Sequence, residues 1–129
     1  MVRPSSTARP TIVVIDDDPM IRELVRLHLK NADYEVLLAE DAVAAGRLIV
    51  ESSPALILID VNMPYMNGYE FTSALKKDPA TRDIPVVFIT ADEDVAQRSR
   101  QLGAVAYLAK PVRADRLLEV VRQFVPRAP

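Results

Sequence analysis

The sequence has no cysteine and a single histidine, His28, among its 129 residues. The first absence excludes a disulfide framework and a thiolate metal site, and the second excludes a multi-histidine centre. An excess of charge of one sign is missing too. Sixteen Lys and Arg residues against eighteen Asp and Glu leave a net charge of -2, which offers no basic footprint for phosphate backbones or anionic lipid, so direct binding to nucleic acid is not expected. No apolar run approaches the roughly 18 to 20 residues that cross a bilayer, and MVRPSSTARP lacks the apolar middle segment of a secretory signal. A soluble, cytoplasmic protein without membrane contact is expected.

What is present is apolar surface, half of the composition. A chain of this length buries roughly two-thirds of its unfolded surface in one core, and two such cores are hard to stabilise, so a single domain is expected. Residues 1–10 carry two prolines, three hydroxylated residues and two arginines without apolar periodicity, the composition of a mobile tail. The domain itself is read as residues 11–125, followed by a C-terminal tail or the start of a linker over 126–129. No output domain is expected within these residues.

Continuous apolar runs of strand length recur at Thr11–Ile15, Glu35–Ala39, Ala55–Ile59, Val86–Ile89 and Val105–Ala109, the pattern of strands covered on both faces. Between them lie segments of helical spacing: Ile21, Leu24, Val25, His28 and Leu29; Ala42, Ala45, Leu48 and Ile49; Phe71, Ala74 and Leu75; Val95, Ala96, Ser99 and Leu102; and Leu117, Leu118, Val121, Phe124 and Val125. The fourth, from Asp92 to Leu102, has the thinnest apolar face. Five strands alternating with five helices predict βαβ units and a parallel, doubly wound α/β sheet between two helical layers. Ligands of such sheets gather in the crevice at the carboxyl ends of the strands.

Those ends carry chemistry. The first strand delivers Asp16, Asp17 and Asp18, the third Asp60, the fourth Thr90 and the fifth Lys110. Asp18 before Pro19 reads as a helix N-cap followed by proline at the first helical position. Asp16 and Asp17, at one crevice with Asp60, repel by about 3 kcal/mol per pair at about 5 Å and an effective dielectric of about 20, so a positive charge belongs among them. A hard divalent cation with oxygen ligands suits the cluster, and Mg²⁺ takes a few protein oxygens while leaving positions for water and phosphate. Lys110 supplies a mobile point charge for phosphate oxygens. Asp60, after an apolar run that places it on the central strand, is the best-placed carboxylate to accept a phosphoryl group as an acyl phosphate.

Asp16-Asp17 after an apolar strand, Asp60-Val61-Asn62-Met63-Pro64-Tyr65-Met66-Asn67-Gly68, Phe88-Ile89-Thr90-Ala91 and Tyr107-Leu108-Ala109-Lys110-Pro111 together resemble a response-regulator receiver domain, over about residues 11 to 125. The resemblance implies the flavodoxin-like strand order 2-1-3-4-5, which is that of chemotaxis receivers. It implies that Asp17 and Asp60 hold Mg²⁺ through their side chains, Asn62 through its carbonyl and Asp16 through water. Lys110 and Thr90 would bind the phosphoryl oxygens, and the Lys110–Pro111 bond would be cis. It further implies a switch through Thr90 and Tyr107, with Tyr107 rotating inward, although an aromatic in a last strand is also ordinary packing. Asn62 and Asp92 would tune the lifetime of the phosphoryl group, Asp92 being at the same time a candidate helix cap. Asn67 stands where the family more often has Asp, and Asn-Gly serves a turn equally well.

The function so implied is a signalling switch, not an enzyme acting on other molecules. It would take phosphate from a histidine kinase or histidine phosphotransfer protein and present an altered surface, built from the fourth helix, fifth strand and fifth helix, to a protein partner or a second copy. His28, on the apolar stripe of the first helix, reads as a packed core-edge histidine and not as a phosphate acceptor. Two other functions compete. A hydrolase of the haloacid-dehalogenase kind would use the Asp-x-Asp of Asp16 and Asp18, but Met20 stands where its threonine belongs and the chain is too short for its cap. A receiver-like module that is never phosphorylated is disfavoured because every residue the chemistry needs is present.

Overall fold

Apolar runs with no polar face form strands where both sides of a sheet are covered; three of the five runs are used in this way, and the other two form partly exposed edge strands. In the computed structural model, which describes residues 9–63 and 67–127, they form β1 (Thr11–Ile15), β2 (Glu35–Ala39), β3 (Leu56–Asp60), β4 (Val86–Thr90) and β5 (Ala106–Ala109). The helices are α1 (Pro19–Asn31), α2 (Ala42–Ser52), α3 (Gly68–Lys77), α4 (Glu93–Gln97) and α5 (Ala114–Phe124). All pairings are parallel and the order is β2-β1-β3-β4-β5. The doubly wound, flavodoxin-like architecture is the one expected. The ladder runs slightly further than the apolar runs, because Val61 N–H donates to Ile89 O at 3.2 Å and Lys110 N–H to Thr90 O at 3.0 Å. Asp60 and Thr90 are therefore the last residues of β3 and β4, not the first residues of loops.

Alternation along each strand divides the core. Ile12, Val14, Leu56, Leu58, Val87 and Ile89 pack with Val25 and Leu29 of α1 and with Leu117, Val120 and Val121 of α5. Val13, Ile15, Ile57, Ile59, Val86 and Phe88 pack on the other face with Ala45 and Ile49 of α2 and Phe71 and Leu75 of α3. Two residues assigned to apolar helix faces lie outside them: Leu24 is 40% exposed, and Ala74 is also exposed. His28 is half-buried on α1, at the edge of its packed face.

Local signals account for most helix ends. Asp18 is the N-cap of α1, accepting from Met20 N at 2.9 Å with Pro19 opening the helix. Asp41 caps α2 through Ala44 N at 2.9 Å. The fourth helix is shorter than its expected span of Asp92–Leu102. Beyond Gln97 the residues Arg98, Arg100 and Gln101 are exposed, and the backbone tightens into three-residue turns such as Ser99 N–H to Ala96 O and Gly103 N–H to Arg100 O. Gly103 ends the segment at φ 103, a conformation that favours glycine.

The expected N-terminal tail lies outside the described residues except for Arg9 and Pro10, and the Pro10 carbonyl already accepts from Glu35 N at 2.9 Å. Ala128 and Pro129 of the expected C-terminal tail also lie outside them. Among the described residues, no helix is long and apolar enough to cross a membrane.

Candidate functional site

The parallel topology brings the carboxyl ends of β1, β3, β4 and β5 to one edge, and the residues found there are Asp16, Asp17, Asp60, Thr90 and Lys110. Asp16, Asp60 and Thr90 are buried, Lys110 is half-buried, and Asp17 is exposed. Carboxylate oxygens of Asp16, Asp17 and Asp60 lie within 4.8 Å of one another. The Lys110 ammonium is 2.9 Å from Asp60 Oδ2 and 3.7 Å from Asp16 Oδ2. The Lys110–Pro111 peptide is cis.

Three of the strand ends share one device. Asp16 Oδ1 accepts from Asp18 N, Asp60 Oδ1 from Asn62 N and Thr90 Oγ1 from Asp92 N, each at 2.9 Å. Each side chain thus holds the backbone two residues on, a local alternative to further strand pairing. The loops leave the sheet at these points, and the second oxygen of each carboxylate is left to face the crevice.

The electrostatics follow from burial. Asp16 is pushed up from 3.8 to about 6, chiefly by burial and further by the charges of Asp60 and Asp17, against the opposing Asp18 N–H and Lys110. Burial draws Lys110 down, but the hydrogen bond to Asp60 and the charges of Asp16, Asp60 and Asp17 outweigh it, so its net displacement is upward. Asp16 Oδ2 is buried without a hydrogen-bond partner. An orphaned carboxylate oxygen beside two more carboxylates is a donor set that fits a hard cation such as Mg²⁺. Asn62 is exposed at the rim, beyond Asp60.

Asp92 is the N-cap of α4, accepting from Asp94 N at 2.9 Å and Val95 N at 3.3 Å. Tyr107 is 38% exposed and borders, with Thr90, Ala96 and Lys110, a cleft of about 310 Å³. Asn67 differs from its expected part in a turn. It is the N-cap of α3, accepting from Glu70 N at 2.8 Å, and Gly68 is the first helical residue. Pro64, Tyr65 and Met66 of the same motif lie outside the described residues.

Sequence reasoning missed three contributors. Arg22 Nη1 donates to the carbonyl of Asp16 at 2.7 Å. Gly68 backs directly onto the carbonyl of Asp60. Exposed Met20, Leu24 and Leu27 recur at helical spacing along the outer face of α1, which begins three residues after Asp16. Only the last had a sequence signal, an apolar residue too many for one buried stripe.

A family model described as the response regulator receiver domain matches residues 12–122. The DNA-binding dual master transcriptional regulator RpaA of Synechocystis sp. is 36% identical over 120 residues, which are 92% of this chain and 50% of that protein. The phosphate regulon transcriptional regulatory protein PhoB of Pseudomonas aeruginosa is 36% identical over 119 residues, 91% of this chain and 52% of that protein. The chain spans about half the length of these relatives. The polar-differentiation response regulator DivK of Brucella anthropi is 32% identical over 89% of this chain and 95% of its own. Among solved structures, the chemotaxis response regulator CheY4 of Vibrio cholerae superposes with a TM-score of 0.83 at 29% identity, covering 90% of this chain and 98% of that one.

Proposed function

This chain belongs to the response regulator receiver domain family, and on that premise we propose that it is a cytoplasmic switch in which Asp60 accepts a phosphoryl group from a histidine kinase or histidine phosphotransfer protein. One observation carries the reading: a buried carboxylate on the central strand meets an ammonium at 2.9 Å and two further carboxylates within 4.8 Å. With a divalent cation added, that set can hold a phosphoryl group and offset its charge.

In the transfer, an oxygen of Asp60 attacks the phosphorus of a phosphohistidine, the phosphorus–nitrogen bond breaks, and the departing imidazole takes up a proton. Positioning and charge do most of this work. Asp60 Oδ1 is held by Asn62 N–H, which fixes the plane of the carboxylate. Lys110 passes from Asp60 Oδ2 to an oxygen of the arriving group. Receiver domains generally bind Mg²⁺, and here Asp17, Asp60 and the Asn62 carbonyl would hold it, with Asp16 acting through water; when bound it supplies positive charge against the phosphoryl oxygens. The exposed Met20, Leu24 and Leu27 give the donor an apolar surface beside the pocket.

The response passes through Thr90 and Tyr107. Drawing the Thr90 hydroxyl to a phosphoryl oxygen takes it from Asp92 N–H and opens space for Tyr107 to turn inward. The surface that changes is α4–β5–α5, which carries a groove of about 360 Å³ bordered by Ala96, Arg100, Tyr107, Arg116, Val120 and Phe124. A short α4 with one buried residue, Ala96, rearranges at small packing cost. A protein partner or a second copy docks there. Asn62 and Asp92 set the lifetime of the phosphoryl group by orienting water.

Intact mass after acetyl phosphate and Mg²⁺ tests the assignment. A single phosphoryl adduct, labile to hydroxylamine and absent from Asp60→Asn or without Mg²⁺, is expected; an adduct retained in Asp60→Asn would sink it.

A further inference from the structure

Asp16 is held at every polar atom but one. Its N–H donates to Ala39 O at 3.1 Å, its carbonyl accepts from Arg22 Nη1 at 2.7 Å, and Oδ1 accepts from Asp18 N at 2.9 Å. Only Oδ2 has no hydrogen bond, and it faces the Lys110 ammonium at 3.7 Å. Two of the three restraints are backbone N–H groups that any residue supplies. The third requires the side chain of Arg22, which reaches back six positions from α1 to the peptide joining Asp16 to Asp17.

Among the described residues, the side chain of Arg22 makes no other hydrogen bond. It is half-buried, and among the described residues it makes no ion pair. A guanidinium spent on a neutral carbonyl, with no carboxylate paired to it among the described residues, is placed for geometry and not for charge pairing. By fixing the Asp16–Asp17 peptide plane it bears on where the exposed Asp17 carboxylate emerges, while the bond from Asp18 N to Oδ1 keeps Asp16 Oδ2 turned into the cluster.

The geometry points to Arg22 as a positioning residue for the cation pocket of Asp16, Asp17 and Asp60, an inference that rests on the proposed reading of that pocket. It acts from behind the ligands, as the hydrogen-bonded supports of metal ligands do, and loss of such supports typically weakens metal affinity by about 10- to 100-fold. Its sign separates this role from a charge effect. Removing a cation near a Mg²⁺ site would by Coulomb's law tighten Mg²⁺ binding, whereas removing the brace loosens it.

The test is calorimetric titration of the whole chain with Mg²⁺, comparing wild type, Arg22→Met, Arg22→Lys and Asp17→Asn, with thermal unfolding in EDTA to verify the fold. Arg22→Met keeps the stem without the donor and is expected to bind about tenfold more weakly. Arg22→Lys can still donate to the Asp16 carbonyl and is expected to stay close to wild type. Equal or tighter binding by Arg22→Met would overturn the inference while Asp17→Asn, weakened, leaves the pocket standing. A wild type that binds no Mg²⁺ would overturn pocket and brace together. If Arg22→Met does not fold, Arg22→Gln, too short to reach the carbonyl, carries the same comparison: weaker binding supports the brace, equal or tighter binding overturns it.

Discussion

Gly68 stands against the end of β3 so closely that a Cβ there would lie 2.7 Å from the carbonyl oxygen of Asp60 and 2.7 Å from Val61 Cα. Both neighbours are backbone, and Gly68 N–H is bonded to Val61 O at 2.9 Å, so neither side can yield without moving Asp60. Gly68→Ala is expected to cost about 1–3 kcal/mol in denaturant unfolding, the range for overpacking. Gly46, in the middle of α2, has nothing within 4 Å of such a Cβ, and Gly46→Ala is expected to stabilise by about 0.5–1 kcal/mol. Equal effects from the two substitutions would show that the close approach is not what holds glycine at 68.

Asp16 should leave its mark on stability against pH. Unfolded, it loses its proton near 3.8; folded, it keeps it to about 6. Its contribution is therefore complete below the lower value and is lost as pH rises through the upper one. With Mg²⁺ removed by EDTA, Asp16→Asn is expected to match wild type at about pH 3 and to exceed it by about 3 kcal/mol near pH 7. Parallel stability curves across that interval would mean that Asp16 is charged throughout.

The lifetime of the phosphoryl group is expected to be short, on the order of minutes or less, because Asn62 and Asp92 are polar and exposed beside Asp60 and Thr90 and can place water in line. Asn62→Met should slow decay. Asp92→Ala does two things, since Asp92 also caps α4: it should lower stability by about 1 kcal/mol and slow decay as well. Following loss of the phosphorylated mass with time, identical rates in wild type and both variants would remove these residues from the clock and leave Asp92 a cap alone.

Tyr34, fully buried at the start of β2, donates to the carbonyl of Val125 at 2.5 Å and so ties the end of α5 beneath α1. Tyr34→Phe keeps the packing and orphans that carbonyl, with an expected loss of about 1–3 kcal/mol. Hydrogen exchange should quicken first in the last turn of α5. Unchanged protection there would show that water replaces the hydroxyl.

The inner strands β1, β3 and β4 were legible because each is covered on both faces and is written as a run of apolar residues, whereas the edge strands β2 and β5 carry exposed positions such as Glu35 and Tyr107. The convergence of Asp16, Asp17, Asp60, Thr90 and Lys110 followed from topology alone, since parallel strands put all their carboxyl ends on one edge. Helix α4 was overdrawn because Val95, Ala96 and Leu102 keep a helical period while the polar residues between them give no packing to sustain a regular helix. Gly68 was read as turn chemistry when its reason is proximity, which no local pattern records. Arg22 and Tyr34 were invisible for a related cause: a side chain bonded to a distant main-chain carbonyl leaves no spacing in the sequence.

Strands apolar on both faces carry an ambiguity that half-buried strands avoid. In an amphipathic strand, a slip of one residue turns the polar face into the core and is forbidden. In β3 or β4 the same slip exchanges one apolar face for the other, Ile57 and Ile59 for Leu56 and Leu58, and the penalty is only one of fit. A slip of β3 that put Asp60 in the place of Ile59 is far costlier, because it would draw the carboxylate inward, away from Lys110 and the crevice, into hydrocarbon. The carboxylate of Asp60 therefore opposes slippage of β3 in that direction. A chain with an apolar residue in place of Asp60 would lose, besides a carboxylate at the crevice, a charge that resists misalignment of its central strand.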